Sequence, residues 1–417
     1  MNAIWACAQI GARDAYQIPR ALAAENALAF FLTDFWNDYP RWSQPVLPSF
    51  FESARQRVHP DLDKTTVVHL GLGQVRFEQT ARIRKWDTWK VAHQRSAYYQ
   101  RNLLKQIAPL RADLKAKAPG IVFAYSYEAA LLFEFFREVG WRCVLGQTDA
   151  GPAAERNVEA EALRDPAWPR DFLPAPELHW QLWRRELELA DCIAVPSPWV
   201  GEQLEAQASV EPDRIVCLPP VFEGDRTPRD PLRAYPGKFT AERPLRILIP
   251  APCTLRTGRR IILEAAQQLA DAPVKWQITD VLDAAQTPEP FRALASVKWL
   301  GTLNAQERLQ ALRSADLLLH PALCGSGAEP QLEALAEGLP VLATDRGAAV
   351  VKHDTNALRL ESPSVDAVVA ALRTCLENPA ALERWSRHCT VDAAFTLPAL
   401  QRSLRAIEAR LIGMERA

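Results

Sequence analysis

"GSGAEPQLEALAEGLPVLATDRG", residues 325–347, decides how the rest of the chain is read. It joins a glycine loop, a short helical run, a Gly-Leu-Pro break, an apolar strand and a second glycine turn. Gly325 and Gly327 let backbone N–H groups approach a ligand closely. Pro330 suits a first helical turn. The N–H groups and dipole at that helix start favour an anion. No Lys or Ser/Thr stands at P-loop spacing. Glu333 lies one turn further in, where it would repel phosphate but could accept from a ribose diol. Phosphate beside a diol acceptor describes a nucleotide. The competing reading makes Glu329 and Glu333 acids favoured by the dipole, with glycines serving turns alone.

Outward from this stretch, strands and helices alternate. "LRILIPAP", "VKWQITD", "VKWLG", "ADLLLHP" and "PVLATD" read as strands, with "GRRIILEAAQQLA" a helix among them. The first half repeats the pattern. "AIWACAQIG", "TVVHLG", "IVFAYS", "RCVLGQTD" and "RIVCLPP" are strands, and "IPRALAAENALAFFL" and "YEAALLFEFFREVG" helices; "WQLWRRELELADCIAVPS" runs a helix into a strand. Such alternation argues parallel sheets covered on both faces. The fold class is α/β: two doubly wound, Rossmann-like domains facing a cleft, the first over 1–222 and the second over 245–395. A Pro- and charge-rich linker spans 223–244, and 396–417 is a closing helix expected to cross back to the first domain. In such sheets ligands sit at the carboxyl ends of strands.

Composition narrows the function. The length of 417 residues favours two cores over one. Lys plus Arg is 49 and Asp plus Glu is 50, which gives no electrostatic case for a nucleic-acid partner. No apolar run has the ~18 residues of a membrane span. The eight scattered cysteines form no CxxC, so buried reduced thiols in a cytoplasmic protein are expected, with no zinc site. His69, His320 and His353 have no partner at ligand spacing and read as packing or surface residues. No Gly-x-Ser-x-Gly, HExxH or GxGxxG occurs.

Three further loops follow strands. In "PAPCTLRTGRRIILEA", 250–265, Arg256, Arg259 and Arg260 crowd a helix start, where cations oppose the dipole. A bound diphosphate would explain them, since guanidinium forks match phosphate oxygens; solvated side chains are the alternative. In "QIGARDAYQIPRAL", 9–22, Gly11 and Arg13 are candidates to face the cleft, against an ordinary βα turn. In "LGQTDAGPAAE", 145–155, Asp149 either orients an acceptor hydroxyl or makes an Asx turn or N-cap.

Nearly the whole chain resembles the GT-B-fold glycosyltransferases of the large retaining family 4 group, most strongly over 245–350. "VKWLGTLNAQERLQALRSADLLLHPAL" and "LEALAEGLPVLATDRG" are similar to that family's segments, and "LRTGRRIILEA" to its phosphate loop. "ELADCIAVPSPWVGEQL" and "RIVCLPP" match the end of its first domain. The resemblance implies a metal-independent, cofactor-free hexosyltransferase-like enzyme of polysaccharide biosynthesis. Its partners would be a nucleotide-sugar donor and a saccharide or glycolipid acceptor. It would be cytoplasmic, with peripheral contact at the inner face of the membrane. Glu333 matches the second acid of an E-x7-E motif, which binds ribose. Gly327, Ala328 and Glu329 match loop positions whose backbone contacts sugar and phosphate, and Leu303 a position whose backbone reads the base. The motif's first acid falls on Gly325, the usual loop Lys on Thr257 and the usual Arg on Pro252. Arg256 and Arg259 are therefore the expected diphosphate cations and Glu329 the expected replacement for the missing acid; Asp149, as the residue that orients the acceptor hydroxyl, is the other catalytic candidate. The alternative is a catalytically impaired protein that binds a nucleotide or glycan, or scaffolds a partner.

Overall fold

The computed structural model describes residues 3–37, 57–164, 172–227, 233–279, 289–325, 327–346 and 350–413. Two parallel sheets organise it. The first runs β3-β2-β1-β4-β5-β6-β7 and the second β10-β9-β8-β11-β12-β13. In the first, β1 is Trp5–Gln9, β2 Leu28–Thr33, β3 Val67–His69, β4 Ile121–Tyr125, β5 Arg142–Gly146, β6 Cys192–Val195 and β7 Ile215–Cys217. In the second, β8 is Leu245–Ile249, β9 Val274–Ile278, β10 Val297–Trp299, β11 Leu317–His320, β12 Val341–Ala343 and β13 Ala357–Arg359. β1 and β4 are buried at every position, because helices cover both faces of the sheet. Strand order reverses between β1 and β4 and between β8 and β11, which makes each pair a switch point.

One sequence expectation fails in detail. "IPRALAAENALAFFL" is not a single helix. The helix Gln17–Ala24 stops before Asn26, whose φ is 54°, and "LAFFL" enters β2. Its apolar residues fit a helical face and a buried strand equally; pairing beside β1 decides between them. β13 was not anticipated.

The helix Leu397–Gly413 lies against the first domain, where Leu400, Leu404 and Ile407 join the cluster of Trp5, Ile18 and Leu22. The Trp5 indole donates to Glu408 at 3.0 Å. The polar segment before β8 is docked as well: the Arg233 guanidinium donates to carbonyls of Leu312, Arg313, Ala315, Glu337 and Gly338. These carbonyls close the ends of two helices, which need external donors.

Candidate active site

A cleft of about 850 Å³ separates the carboxyl edges of the two sheets. Its first-domain wall includes Arg13, Asp14, Tyr125, Thr148, Ser197 and Glu223. Its second-domain wall includes Arg308, Gly327, Ala328, Glu329 and Glu333. The helix Glu329–Ala336 starts at the cleft with Ala328 as its N-cap, and among the described residues no side chain caps it. Its first N–H groups therefore retain capacity for an anion. A β-carbon at Gly327 would meet none of the described residues within 4 Å.

Glu333 faces this space one turn along. Its Oε1 pairs with Arg308 Nη2 at 3.2 Å. Burial raises its pKa above the ordinary carboxyl value, with Arg308 opposing and Glu329 adding to the shift. Glu329 lines the cleft and is exposed. Leu303 is half-buried and packs against the core of the second domain near its helices, outside the cleft lining.

The arginine-rich loop has a different destination. Arg256 donates to Cys324 Sγ at 3.1 Å, and Arg259 is 2% exposed. Neither side chain lines the cleft. Arg260 crosses instead to the first domain. Its Nε donates to Glu161 Oε2 at 2.6 Å and its Nη1 to Glu264 Oε1 at 2.5 Å. Gly258 explains the turning away. Its φ is 92°, and a β-carbon there would stand 2.5 Å from the Pro321 carbonyl oxygen. That glycine permits close packing on the turn after β11, where the sequence suggested close approach to a ligand. The two expected diphosphate cations thus stand beside the cleft and outside its lining, Arg256 against Cys324 and Arg259 buried in its helix.

The loop after β1 divides its roles. The Gly11 N–H donates to Asp34 Oδ1 at 3.0 Å, and Asp34 also takes Arg57 at 2.7 Å. Gly11 is thus committed to the fold and does not line the cleft. Arg13 does line it, with its guanidinium 4.7 Å from the Tyr125 ring centroid. Asp14, Ala15 and Tyr16 follow at φ of 49°, 47° and 60°. Three left-handed residues in a row are costly and typical of functional sites. The Gln9 amide holds the loop through the Gly11 and Arg13 carbonyls, and Tyr125 donates to Asp14 Oδ2 at 3.1 Å. Behind it, Glu128 accepts the Ile10 N–H; burial pushes its pKa up to about 8.

Asp149 accepts from the Tyr127 hydroxyl and the Gly151 N–H, both at 2.8 Å, and does not line the cleft. This is the Asx-turn arrangement, the alternative that the sequence left open beside orienting an acceptor hydroxyl. Gly325 lines the cleft, and a β-carbon there would lie 3.9 Å from Asp149 Cα, an ordinary contact.

The sequence reading missed Asp14, Tyr125 and Arg308. Only Arg308 carried a signal: Ala305, Arg308, Leu309 and Leu312 share one helical face, on which a cation is out of place.

Two parallel-sheet domains about such a cleft are the GT-B glycosyltransferase architecture. Residues 252–378 match the family described as glycosyl transferases group 1. No curated protein matches the chain. Among solved structures, a glycosyltransferase from Rickettsia africae ESF-5 is similar at 13% identity, with 99% of each chain covered and a TM-score of 0.60. Anabaena HepE in complex with UDP is similar at 13% identity, with 98% of this chain and 100% of that one covered and a TM-score of 0.58. WaaG, a glycosyltransferase involved in lipopolysaccharide biosynthesis, is similar at 17% identity, with 97% and 99% covered and a TM-score of 0.57. Among the described residues no helix is long and apolar enough to cross a membrane.

Proposed function

We propose that the protein transfers a hexose from a nucleotide-sugar to a saccharide or glycolipid acceptor, with retention of anomeric configuration and no metal. The observation that carries this reading is the uncapped start of the Glu329 helix opening into the interdomain cleft, with Glu333 one turn beyond it. The N–H groups of Gly327, Ala328 and Glu329 hold the diphosphate, and Glu333 accepts from the ribose. UDP in the HepE structure supports a nucleoside diphosphate. The acceptor lies against the first-domain wall, near Asp14 and Tyr125. Its hydroxyl attacks the anomeric carbon on the face from which the diphosphate leaves. The bond from that carbon to the phosphate oxygen breaks, and a leaving diphosphate oxygen takes the hydroxyl proton. Donors fixed before the reaction stabilise the leaving charge.

The test is incubation with UDP-, GDP- and ADP-sugars, with and without saccharide acceptors and with chelator present, reading released nucleotide. Acceptor-dependent release in chelator is expected. Release that needs no acceptor marks a hydrolase and would overturn the transferase reading. A second reading, a binding protein with impaired catalysis, is favoured by Gly325 at the position of a sugar-touching acid. It expects nucleotide binding without turnover. The contacts around Gly325 admit a β-carbon, so Gly325→Glu separates the two: turnover gained only in that variant favours impairment.

A further inference from the structure

We propose that Glu128 is the positioning residue of the acceptor wall: buried behind the loop after β1, and in its neutral form, it sets where Arg13 stands in the cleft. The inference rests on the reading above that the acceptor lies against this wall.

The loop is the first argument. Asp14, Ala15 and Tyr16 are all left-handed, and such strain persists only where surrounding groups over-determine the backbone. Buried side chains supply that restraint. The Gln9 amide donates to the Gly11 and Arg13 carbonyls at 2.9 and 3.2 Å. The next two N–H groups each donate to a buried carboxyl, Ile10 to Glu128 Oε1 and Gly11 to Asp34 Oδ1, both at 3.0 Å. Arg13 follows three residues after Ile10 and lines the cleft over the Tyr125 ring.

The two carboxyls differ in charge balance. Asp34 has Arg57 at 2.7 Å from both oxygens. Glu128 is buried and, among the described residues, makes no salt bridge. Burial without a paired cation favours the neutral carboxyl. Its pKa is accordingly pushed up to about 8, with Arg13 and the Ile10 N–H opposing and Asp34 and Glu186 adding. Cys7 and Tyr99 also face it; burial raises both pKa values well above the ordinary ones, so both stay neutral beside it. Glu186 titrates in the same range. Burial raises its pKa to about 7, and it accepts the Tyr127 and Ala129 N–H groups on either side of Glu128 at 2.6 and 2.7 Å.

The consequence lies in Arg13, the cation whose charge acts on Glu128. Once Glu128 ionises, its attraction competes with the place of Arg13 over Tyr125. The short loop from Ile10 to Arg13 transmits that pull. The proton on Glu128 thus keeps Arg13 turned to the acceptor.

Two measurements on the full chain test this, each on the wild type and on Glu128→Gln, which keeps an acceptor oxygen for Ile10 and cannot ionise. The first is a magnetic-resonance titration of protein carrying isotope-labelled isoleucine, with the Ile10 signal assigned through Ile10→Val. The Ile10 amide should shift with a midpoint near pH 8 in the wild type and stay fixed in Glu128→Gln. The second is the acceptor KM of the transfer reaction. It should rise about tenfold in the wild type by about one unit above the midpoint, where about a tenth of the protein remains competent. It should stay level in Glu128→Gln. A wild-type Ile10 signal that does not titrate overturns the proposal. A step that persists in Glu128→Gln belongs to Glu186 or another group and also overturns it. A titrating Ile10 with a level acceptor KM overturns the positioning role. Wild-type protein that transfers nothing overturns the transferase reading instead, while Ile10 still decides whether Glu128 holds the loop in its neutral form.

Discussion

The junction at Gly258 and the junction at Gly327 both follow a strand of one switch point, and both place glycine and charge before a helix. In sequence, the first is the stronger phosphate loop, because it carries three arginines. In the fold, Gly258 packs on Pro321, Arg256 meets Cys324 and Arg260 meets Glu161. At the second junction none of the described residues stands within 4 Å of a β-carbon at Gly327, and the helix start lines the cleft. A charge beside a helix start thus shows that it needs a partner. It does not say whether the partner is a ligand or the other domain.

The contrast breaks most visibly at Glu161. Glu161 and Arg260 are each about 10% exposed, and each keeps one further partner, Arg164 and Glu264. Glu161→Ala should therefore cost about 2–3 kcal/mol, the worth of a charged hydrogen bond, read by denaturant unfolding. Nucleotide affinity should stay within a small factor; its collapse would give the first junction a ligand role after all. A smaller effect is expected from acid. The Glu333 pKa is raised by burial, and the diol needs the ionised form. Affinity is then full above that raised pKa and is lost as pH falls through it, earlier than for an ordinary carboxyl near about 4.3. Titrations into acid should show weakening that sets in at higher pH than an ordinary carboxyl would give, and that Glu333→Gln abolishes. The smallest effect belongs to Arg256→Ala. With its guanidinium on Cys324, nucleotide affinity should change less than about threefold, under 1 kcal/mol. A tenfold loss would restore it as a phosphate ligand.

Much of the fold was legible because buried parallel strands leave continuous apolar runs, and helices between them keep their period. "IVFAYS" and "LRILIPAP" needed no context to be read. "LAFFL" did, since its residues suit either structure until β1 and β3 pair with it on either side. The site divides in the same way. Gly327, Ala328, Glu329 and Glu333 were legible because loop, helix start and acid are contiguous, and all four line the cleft. Arg13, a candidate on weaker grounds, lines it too. Gly11 and Asp149, candidates as well, hold their own loops, through Asp34 for the first and Tyr127 for the second.

The sequence by itself determined two α/β domains, the carboxyl-edge loops that bear chemistry, and a helix start suited to an anion. These follow from local periodicity and local backbone chemistry. Only the tertiary structure decided which of two charged loops opens to the cleft, and that Arg308 shares it with Glu333. The physical reason is that side-chain partners are set by packing between distant segments. Arg260 and Glu161 lie 99 residues apart, and no local pattern announces such a contact.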